Sequence, residues 1–110
     1  MGAYRLTRRA AADLDAIFEY TALRFGLEQA QRYFNELHEC CQRLAGNLGL
    51  GRSAESLAPG LRRYEFRSHV VFYTGESREL VIVRVLHARM DALRHVRGKA
   101  IRVPRASDPN

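Results

Sequence analysis

The segment ELVIVRVLH, residues 79–87, is the stretch that best defines the fold. From Leu80 to Leu86 every residue except Arg84 is apolar, and most of them are β-branched. A strand that is apolar on both faces is typical of the middle of a sheet rather than its edge. The segment therefore predicts a central strand, in which Arg84 is a charge that the surrounding structure must accommodate.

Two further strands are predicted just before this one. The segment RRYEFR (62–67) alternates charged and aromatic residues, as a half-buried strand does, and VVFYT (70–74) follows it after a short turn. The polar segment GESR (75–78) then leads into the central strand. Strands joined by links this short are antiparallel neighbours, so the second half of the chain predicts a meander.

The first half of the chain predicts a short strand, AYRL (3–6), and then a helix. Thr7 occupies the N-cap position and Gly26 is a natural helix stop. Between them an apolar stripe recurs at three- and four-residue steps, formed by Ala10, Leu14, Ile17, Phe18, Thr21 and Phe25. The opposite face carries acidic residues that we expect to be solvated, namely Asp13, Asp15 and Glu19.

A second helix follows directly and has a heptad-like seam, made of Leu27, Ala30, Phe34, Leu37, Cys41, Leu44 and Leu48. Because one glycine separates the helices, they must turn back on each other as an antiparallel hairpin. The stripe of the first helix can cover the seam of the second, which favours an intramolecular hairpin over a coiled-coil dimer. In this arrangement Cys41 is a small core residue.

These elements predict an α+β fold: an N-terminal strand, then an antiparallel helical hairpin packed on a small antiparallel β-sheet, then a short C-terminal element. The glycine-rich segment 46–60 is predicted to be a loop, and DALRHV (91–96) to form one helical turn. We expect a single domain over residues 1–96, followed by a basic tail, 97–110, that is partly mobile.

The charge distribution indicates an acidic partner. The net charge of +6 comes from the second half, since residues 58–110 hold eleven basic against five acidic residues, while residues 1–57 hold seven of each. A basic face of this kind meets nucleic acid or an anionic protein. Adjacent Cys40 and Cys41 cannot readily bridge each other, and no apolar signal or membrane segment is visible, so we expect a cytoplasmic protein.

A metal site is not expected. His87, Asp91 and His95 would share one face of a helix, but His87 ends a strand, and no further cluster completes a ligand set. We therefore predict no metal and no cofactor.

A metal-independent nuclease is the second kind of site considered. The cations for a phosphate are present, and His87 or His69 would serve as acid or base, but only Glu65 lies in the same sheet as a further partner. His69 lies in the turn between two strands, where we expect a solvated side chain.

Arg84 has two interpretations of equal weight. A charge within an apolar strand is costly unless it is paired, so a structural ion pair with Glu65, Glu79 or Asp91 explains it. Alternatively, it lines a groove on the sheet as a functional cation. Direct binding of nucleic acid has less support, because no helix-turn-helix, zinc knuckle or RNP-type aromatic pattern is present.

Several segments in order strongly resemble ParE toxins of the RelE/ParE superfamily, the toxin halves of bacterial type II toxin–antitoxin modules. They are DLDAIFEYTALRFGLEQAQRYFNELHECCQRLAGNLGLGR, PGLRRYEF, VVFYTG and IVRVLHARMD, spread from Ala3 to Asp91. The most specific parts are GLR at 60–62, FY at 72–73, and RVLH followed by RMD at 84–91.

This resemblance implies the fold described above and a ParD-type antitoxin that folds its C-terminal segment over the toxin. Operator DNA is then bound through the antitoxin, the target is DNA gyrase, and no small-molecule substrate or membrane is involved. Family-signature positions, carried over without a catalytic role, are Arg62, Tyr64, Arg84, His87, Arg89 and Asp91. Residues expected to contact the antitoxin are Leu14, Phe18, Tyr20, Leu23, Arg63 and Arg67.

Two alternatives stay open. The related RelE branch implies a ribosome-dependent mRNA endonuclease, which often uses a C-terminal tyrosine or histidine; no tyrosine follows Tyr73 here. A protein that has lost toxicity and acts only as an antitoxin-binding co-repressor is the other.

Overall fold

The structure is a computed structural model that describes residues 3–76 and 79–90. The elements are a helical hairpin and five strands: β1 Tyr4–Leu6, α1 Arg8–Phe25, α2 Leu27–Gly46, a 3₁₀ turn Leu48–Leu50, β2 Arg52–Ser53, β3 Arg62–Phe66, β4 His69–Glu76 and β5 Glu79–His87. This confirms the predicted α+β fold. The predicted C-terminal element at 91–96 and the tail at 97–110 lie outside the described residues.

The strands form one sheet in the order β1-β5-β4-β3-β2. The predicted meander of β3, β4 and β5 is antiparallel, and β5 has a neighbour on each side, as expected of a central strand. Two features were not predicted. β1 pairs with β5 in parallel, and the two-residue strand β2 lies within the segment that we expected to be a loop.

Thr7 connects the end of β1, the start of α1 and the middle of β5. Its hydroxyl accepts a hydrogen bond from the amide of Ala10 at 3.0 Å, which confirms the predicted N-cap, and donates to the Val83 carbonyl at 2.8 Å. Its own amide donates to the Ile82 carbonyl at 3.0 Å. One threonine therefore fixes where α1 begins relative to the sheet.

The sheet buries apolar side chains on both faces. Between the sheet and the hairpin lies a cluster that includes Leu37, Cys41, Leu44, Tyr73 and Ile82, with Leu14 and Ile17 packed against it. On the opposite face, a second cluster is closed by the loop after β2 and contains Ala54, Leu61, Val70, Phe72, Val83 and Leu86. Two-sided burial explains why β5 has no polar face.

The heptad-like seam is confirmed in its middle and is wrong at its ends. Ala30, Leu37, Cys41 and Leu44 are buried, whereas Leu27 is 62% exposed and Leu48 lies beyond the end of α2. Phe25, which was assigned to the apolar stripe of α1, is 64% exposed. These errors lie at the tip of the hairpin and after the end of α2.

Candidate functional site

Arg84 is held by Asp13, which lies on α1. The guanidinium Nε donates to Asp13 Oδ2 at 2.8 Å and Nη2 donates to Oδ1 at 2.9 Å, a two-point ion pair. Asp13 Oδ2 also accepts a hydrogen bond from the Val85 amide at 2.9 Å. The hydrogen bonds to Asp13 raise the pKa of Arg84, so the arginine stays charged within the strand.

The ion-pair interpretation of Arg84 is thereby confirmed, but two of its three predicted partners, Glu65 and Glu79, were wrong. Glu79 pairs with Arg5 and Glu65 pairs with Arg52, each at 3.0 Å. Asp91, the third predicted partner, lies outside the described residues. The expectation that Asp13 is solvated was also wrong, because its side chain is only 14% exposed.

The local path of β5 explains why α1 supplies this partner. Phe72 pairs with Arg84 and Tyr73 pairs with Ile82, so Val83 is an extra residue that forms a bulge in β5. β1 pairs with β5 only as far as Ile82. Beyond that point the backbone of β5 lacks a strand neighbour on this side, and Asp13 provides the missing acceptor.

The second polar cluster lies at the far end of β5 and is built around two histidines. His69 and His87 are paired across β4 and β5, with ring centroids 5.5 Å apart. Tyr33, on α2, places its hydroxyl 2.7 Å from His69 Nδ1. His69 is therefore half-buried, and the prediction that it is solvated was wrong. Burial and the neighbouring His87 lower the pKa of His69, so it is neutral at pH 7.

The hydrogen bond that His87 accepts determines its proton position. The backbone amide of Arg89 donates to His87 Nδ1 at 3.1 Å. A backbone N–H only donates, so Nδ1 must carry a lone pair, and the neutral ring has its proton on Nε2. His87 is exposed and Nε2 has no acceptor among the described residues, so this nitrogen is a donor available to a partner.

These histidines border an open groove of about 680 Å³ between the hairpin and the end of the sheet, which we call the hairpin groove. Its apolar wall is formed by α1, with Ile17, Tyr20 and Phe25. Its polar wall is formed by the β3–β4 turn and the strand ends, with Arg67, Ser68, His69 and His87. Gln29 and Tyr33 of α2 complete the lining.

Exposed apolar side chains concentrate beside this groove. Tyr20 is 57% exposed, Leu23 82% and Phe25 64%, all near the tip of the hairpin. Large apolar side chains grouped in this way are typical of a protein-binding surface. On the polar wall, the Arg67 guanidinium pairs with Glu36 at 2.7 Å and lies over the rings of Phe66 and Tyr33.

The family-signature residues do not form one site. Arg62 bonds the Gly51 carbonyl at the β2 end of the sheet, and Tyr64 packs against the core beneath the hairpin. His87 and Arg89 lie at the opposite end, since Arg62 is level with Tyr73 and Ile82, five residues before His87. Five residues of strand span roughly 16 Å. Asp91 lies outside the described residues.

The six residues expected to contact the antitoxin divide into three groups. Tyr20 and Arg67 line the hairpin groove, and Leu23 is exposed on α1 without lining it. Leu14 packs against the core, and Phe18 makes an edge contact with Phe34, with ring centroids 5.1 Å apart. The Arg63 guanidinium lies 5.4 Å from the ring of Phe72, which belongs to the cluster on the other face of the sheet.

Sequence reasoning did not identify Tyr33 as part of this region. Its signal is weak, because Gln29 and Tyr33 form an i, i+4 pair on the flank of the α2 seam, where polar and aromatic residues are ordinary. Within residues 3–76 and 79–90, no group of three metal-ligating side chains is present. No helix in the same part of the chain is long and apolar enough to cross a membrane.

Comparison with known proteins identifies the family. The family model described as "ParE toxin of type II toxin-antitoxin system, parDE" matches residues 4–92. The chain belongs to the ParE toxin family. The resemblance noted in the sequence is thus confirmed, and the chain is the toxin component of a type II toxin–antitoxin system.

Individual relatives agree with this assignment. The chain is 46% identical over 96 residues to Toxin ParE1 of Caulobacter vibrioides, covering 87% of this chain and 99% of the relative. It is 40% identical over 95 residues to Toxin ParE1 of Mycobacterium tuberculosis, covering 84% and 96%. A solved structure of the chromosomal ParDE system from P. aeruginosa has a TM-score of 0.69 and 29% identity, covering 81% of this ParE-family chain and 98% of the other.

Proposed function

We propose that this ParE-family toxin arrests growth by inhibiting DNA gyrase in the cytoplasm, through binding rather than catalysis, and that a ParD-type antitoxin neutralises it. The observation that carries this proposal is the collinear match to Toxin ParE1 of Caulobacter vibrioides, which covers 99% of that relative. A match along the whole domain supports a shared mode of action more strongly than isolated motifs do.

The polar clusters also favour action by binding. Arg84 is bonded to Asp13, and Arg62 is bonded to Gly51 at the opposite end of the sheet from His87. Nδ1 of His87 is engaged by the Arg89 backbone amide. Cations and histidines that are separated or engaged in this way make a poor phosphodiesterase site.

The hairpin groove is the antitoxin-binding surface in this proposal. An amphipathic antitoxin segment would lay its apolar face against Tyr20, Leu23 and Phe25 and its acidic face against the polar wall. Operator DNA would be reached only through the antitoxin's own DNA-binding domain. Such a segment orders on binding and covers a large surface, which suits an open groove.

The second candidate, a ribosome-dependent mRNA endonuclease, has one observation in its favour. Two imidazoles lie 5.5 Å apart beside Arg67, a grouping that acid–base cleavage of RNA could use. The purified toxin should inhibit supercoiling by gyrase and leave ribosome-bound mRNA intact. Cleavage of mRNA that His87→Ala abolishes would overturn the gyrase proposal, and inactivity in both assays with tight antitoxin binding would favour the co-repressor.

Antitoxin binding is tested separately with Phe25→Asp, which places a charge in the lining of the groove at a side chain that is 64% exposed. We expect this variant to fold normally and to bind the antitoxin at least tenfold more weakly, because the charge must be desolvated in the complex. Leu50→Asp is the matched control, since Leu50 is 47% exposed and lies away from the groove. Equal loss of binding in both variants would reject the groove as the antitoxin site.

A further inference from the structure

The polar wall of the hairpin groove presents hydrogen-bond donors, and Glu36, the carboxylate that pairs with Arg67, does not itself line the groove. Among the described residues that line the groove, Arg67 is the one with a formal charge, and there is no carboxylate. The Ser68 hydroxyl and the Nε2–H of His87 lie on the same wall. A wall of this composition is complementary to an anionic acceptor.

His87 can donate a hydrogen bond from Nε2 because its Nδ1 accepts one from the Arg89 backbone amide. The Arg89 amide occupies Nδ1 from inside the turn, and no acceptor within the described residues bonds to Nε2. Arg67 is paired with Glu36, but both side chains are substantially exposed, at 55% and 36%, so the guanidinium can bind a second carboxylate with its remaining donors. Arg67 and His87 therefore both offer donors in the lining of the groove, where a bound carboxylate can accept hydrogen bonds from them.

We infer that His87 and Arg67 bind the carboxylate of an aspartate or glutamate in the antitoxin segment that occupies the hairpin groove, and that this contact is coupled to protonation of His69. The inference rests on the proposed function, because it takes the antitoxin as the occupant. It adds the chemistry by which one end of the segment is recognised.

The coupling arises because His69 is adjacent to the bound charge. Within residues 3–76 and 79–90, the titratable or charged groups around it are Tyr33 and Glu36 on α2, Tyr20 on α1, Arg67 in the turn, and His87 and Arg89 at the end of β5. In the free protein, burial and His87 keep the pKa of His69 below its ordinary value. A carboxylate beside the pair favours the imidazolium and raises that pKa again.

Binding therefore takes up a proton between the two pKa values of His69. Affinity rises as the pH falls through the pKa of the complex and becomes constant below the pKa of the free protein. An apolar side chain packed against the imidazoles would give the opposite dependence, since protonation of the free toxin would then oppose binding.

The test uses the full-length toxin and the purified antitoxin encoded in the adjacent reading frame. Calorimetry between pH 5.5 and 8.0 should show tighter binding at lower pH, with proton uptake measured in buffers of different ionisation enthalpy. His87→Leu should weaken binding by about tenfold or more. His87→Gln, which keeps a donor near the position of Nε2, should restore most of the affinity.

His38→Gln is the matched control, because His38 is an exposed histidine on α2 that does not line the hairpin groove. This control should bind the antitoxin with the affinity of the unmodified toxin. Thermal unfolding of each variant verifies that the fold is intact.

Two results would overturn the inference: His87→Leu with unchanged affinity, or wild-type binding that weakens on acidification. Failure of the wild-type toxin to bind the antitoxin at any pH is a separate result, which rejects the proposed function itself.

Discussion

Arg84 and His87 lie three residues apart on the same strand, yet the protein uses them in opposite ways. The Arg84 side chain is only 11% exposed, and its guanidinium donates to both carboxylate oxygens of Asp13. His87 is exposed; its Nδ1 accepts a hydrogen bond from its own turn, and its Nε2 has no acceptor among the described residues. The contrast shows that a polar residue in an apolar strand is structural where another element covers it and becomes available where the strand ends.

The largest loss of stability is expected from removing Asp13, the ion-pair partner of Arg84. Asp13→Ala removes both carboxylate contacts of a largely buried guanidinium and leaves the Val85 amide without its acceptor. We expect a loss of about 3–5 kcal/mol in the free energy of unfolding, measured with urea. Asp15→Ala, an exposed acid on the same helix, should change it by less than about 0.5 kcal/mol.

A double variant separates charge burial from packing. Asp13→Leu combined with Arg84→Met should recover much of the loss, because no charge is then buried without a partner. If Asp13→Ala alone were to lose under about 1 kcal/mol, Arg84 would not be a structural residue.

The second prediction concerns Thr7, which connects to β5 beside Arg84. Thr7→Val keeps the shape of the side chain but removes the bonds to the Ala10 amide and the Val83 carbonyl. We expect the free energy of unfolding to fall by about 1–2 kcal/mol, since an N-cap and a buried hydrogen bond are both lost. Thr21→Val, whose hydroxyl bonds only within α1, is the control and should have a smaller effect. Equal losses in the two variants would show that the connection to β5 adds nothing.

The third prediction concerns the pH dependence of stability that arises from His69, the residue paired with His87. The folded pKa of His69 lies below its ordinary 6.5, so in moderately acidic solution the unfolded chain binds a proton that the folded protein does not. Stability should therefore fall as the pH drops below about 6.5, and become constant below the folded pKa. In His69→Gln this contribution to the slope should disappear. An identical pH profile for both proteins would contradict the burial of His69.

The smallest expected effect is that of His87→Gln on stability. The side chain is exposed and its loss leaves no buried charge, so the free energy of unfolding should change by less than about 0.5 kcal/mol. A loss similar to that of Asp13→Ala would mean that His87, like Arg84, is a structural residue.

The sequence predicted those parts of the fold that depend on local periodicity. The N-cap at Thr7, the stop at Gly26 and the burial of Cys41 are all confirmed, because each depends on residues within a few positions. Burial raises the pKa of the Cys41 thiol to about 12, in agreement with the expected inert core residue. The parallel pairing of β1 with β5 was missed, since it joins segments more than seventy residues apart.

The candidate site was predicted only in part, for the same physical reason. Tyr20 and Arg67 were placed on a binding surface by resemblance, and both line the hairpin groove. The position of His69 beside His87 depends on strand register, which an apolar run does not specify. Tyr33 contacts His69 only because the tertiary fold places α2 beside that end of the sheet.

What the sequence determined by itself was the helical hairpin, the strands β1, β3, β4 and β5, and the family, because capping residues, apolar periods and ordered motifs are encoded locally. The tertiary structure alone decided which charges are paired and which are available. A bulge at Val83 and the early end of β1 leave the backbone of β5 open to Asp13, while the end of β5 leaves His87 exposed. Pairing of charges depends on which segments meet in space, and neither composition nor spacing records that.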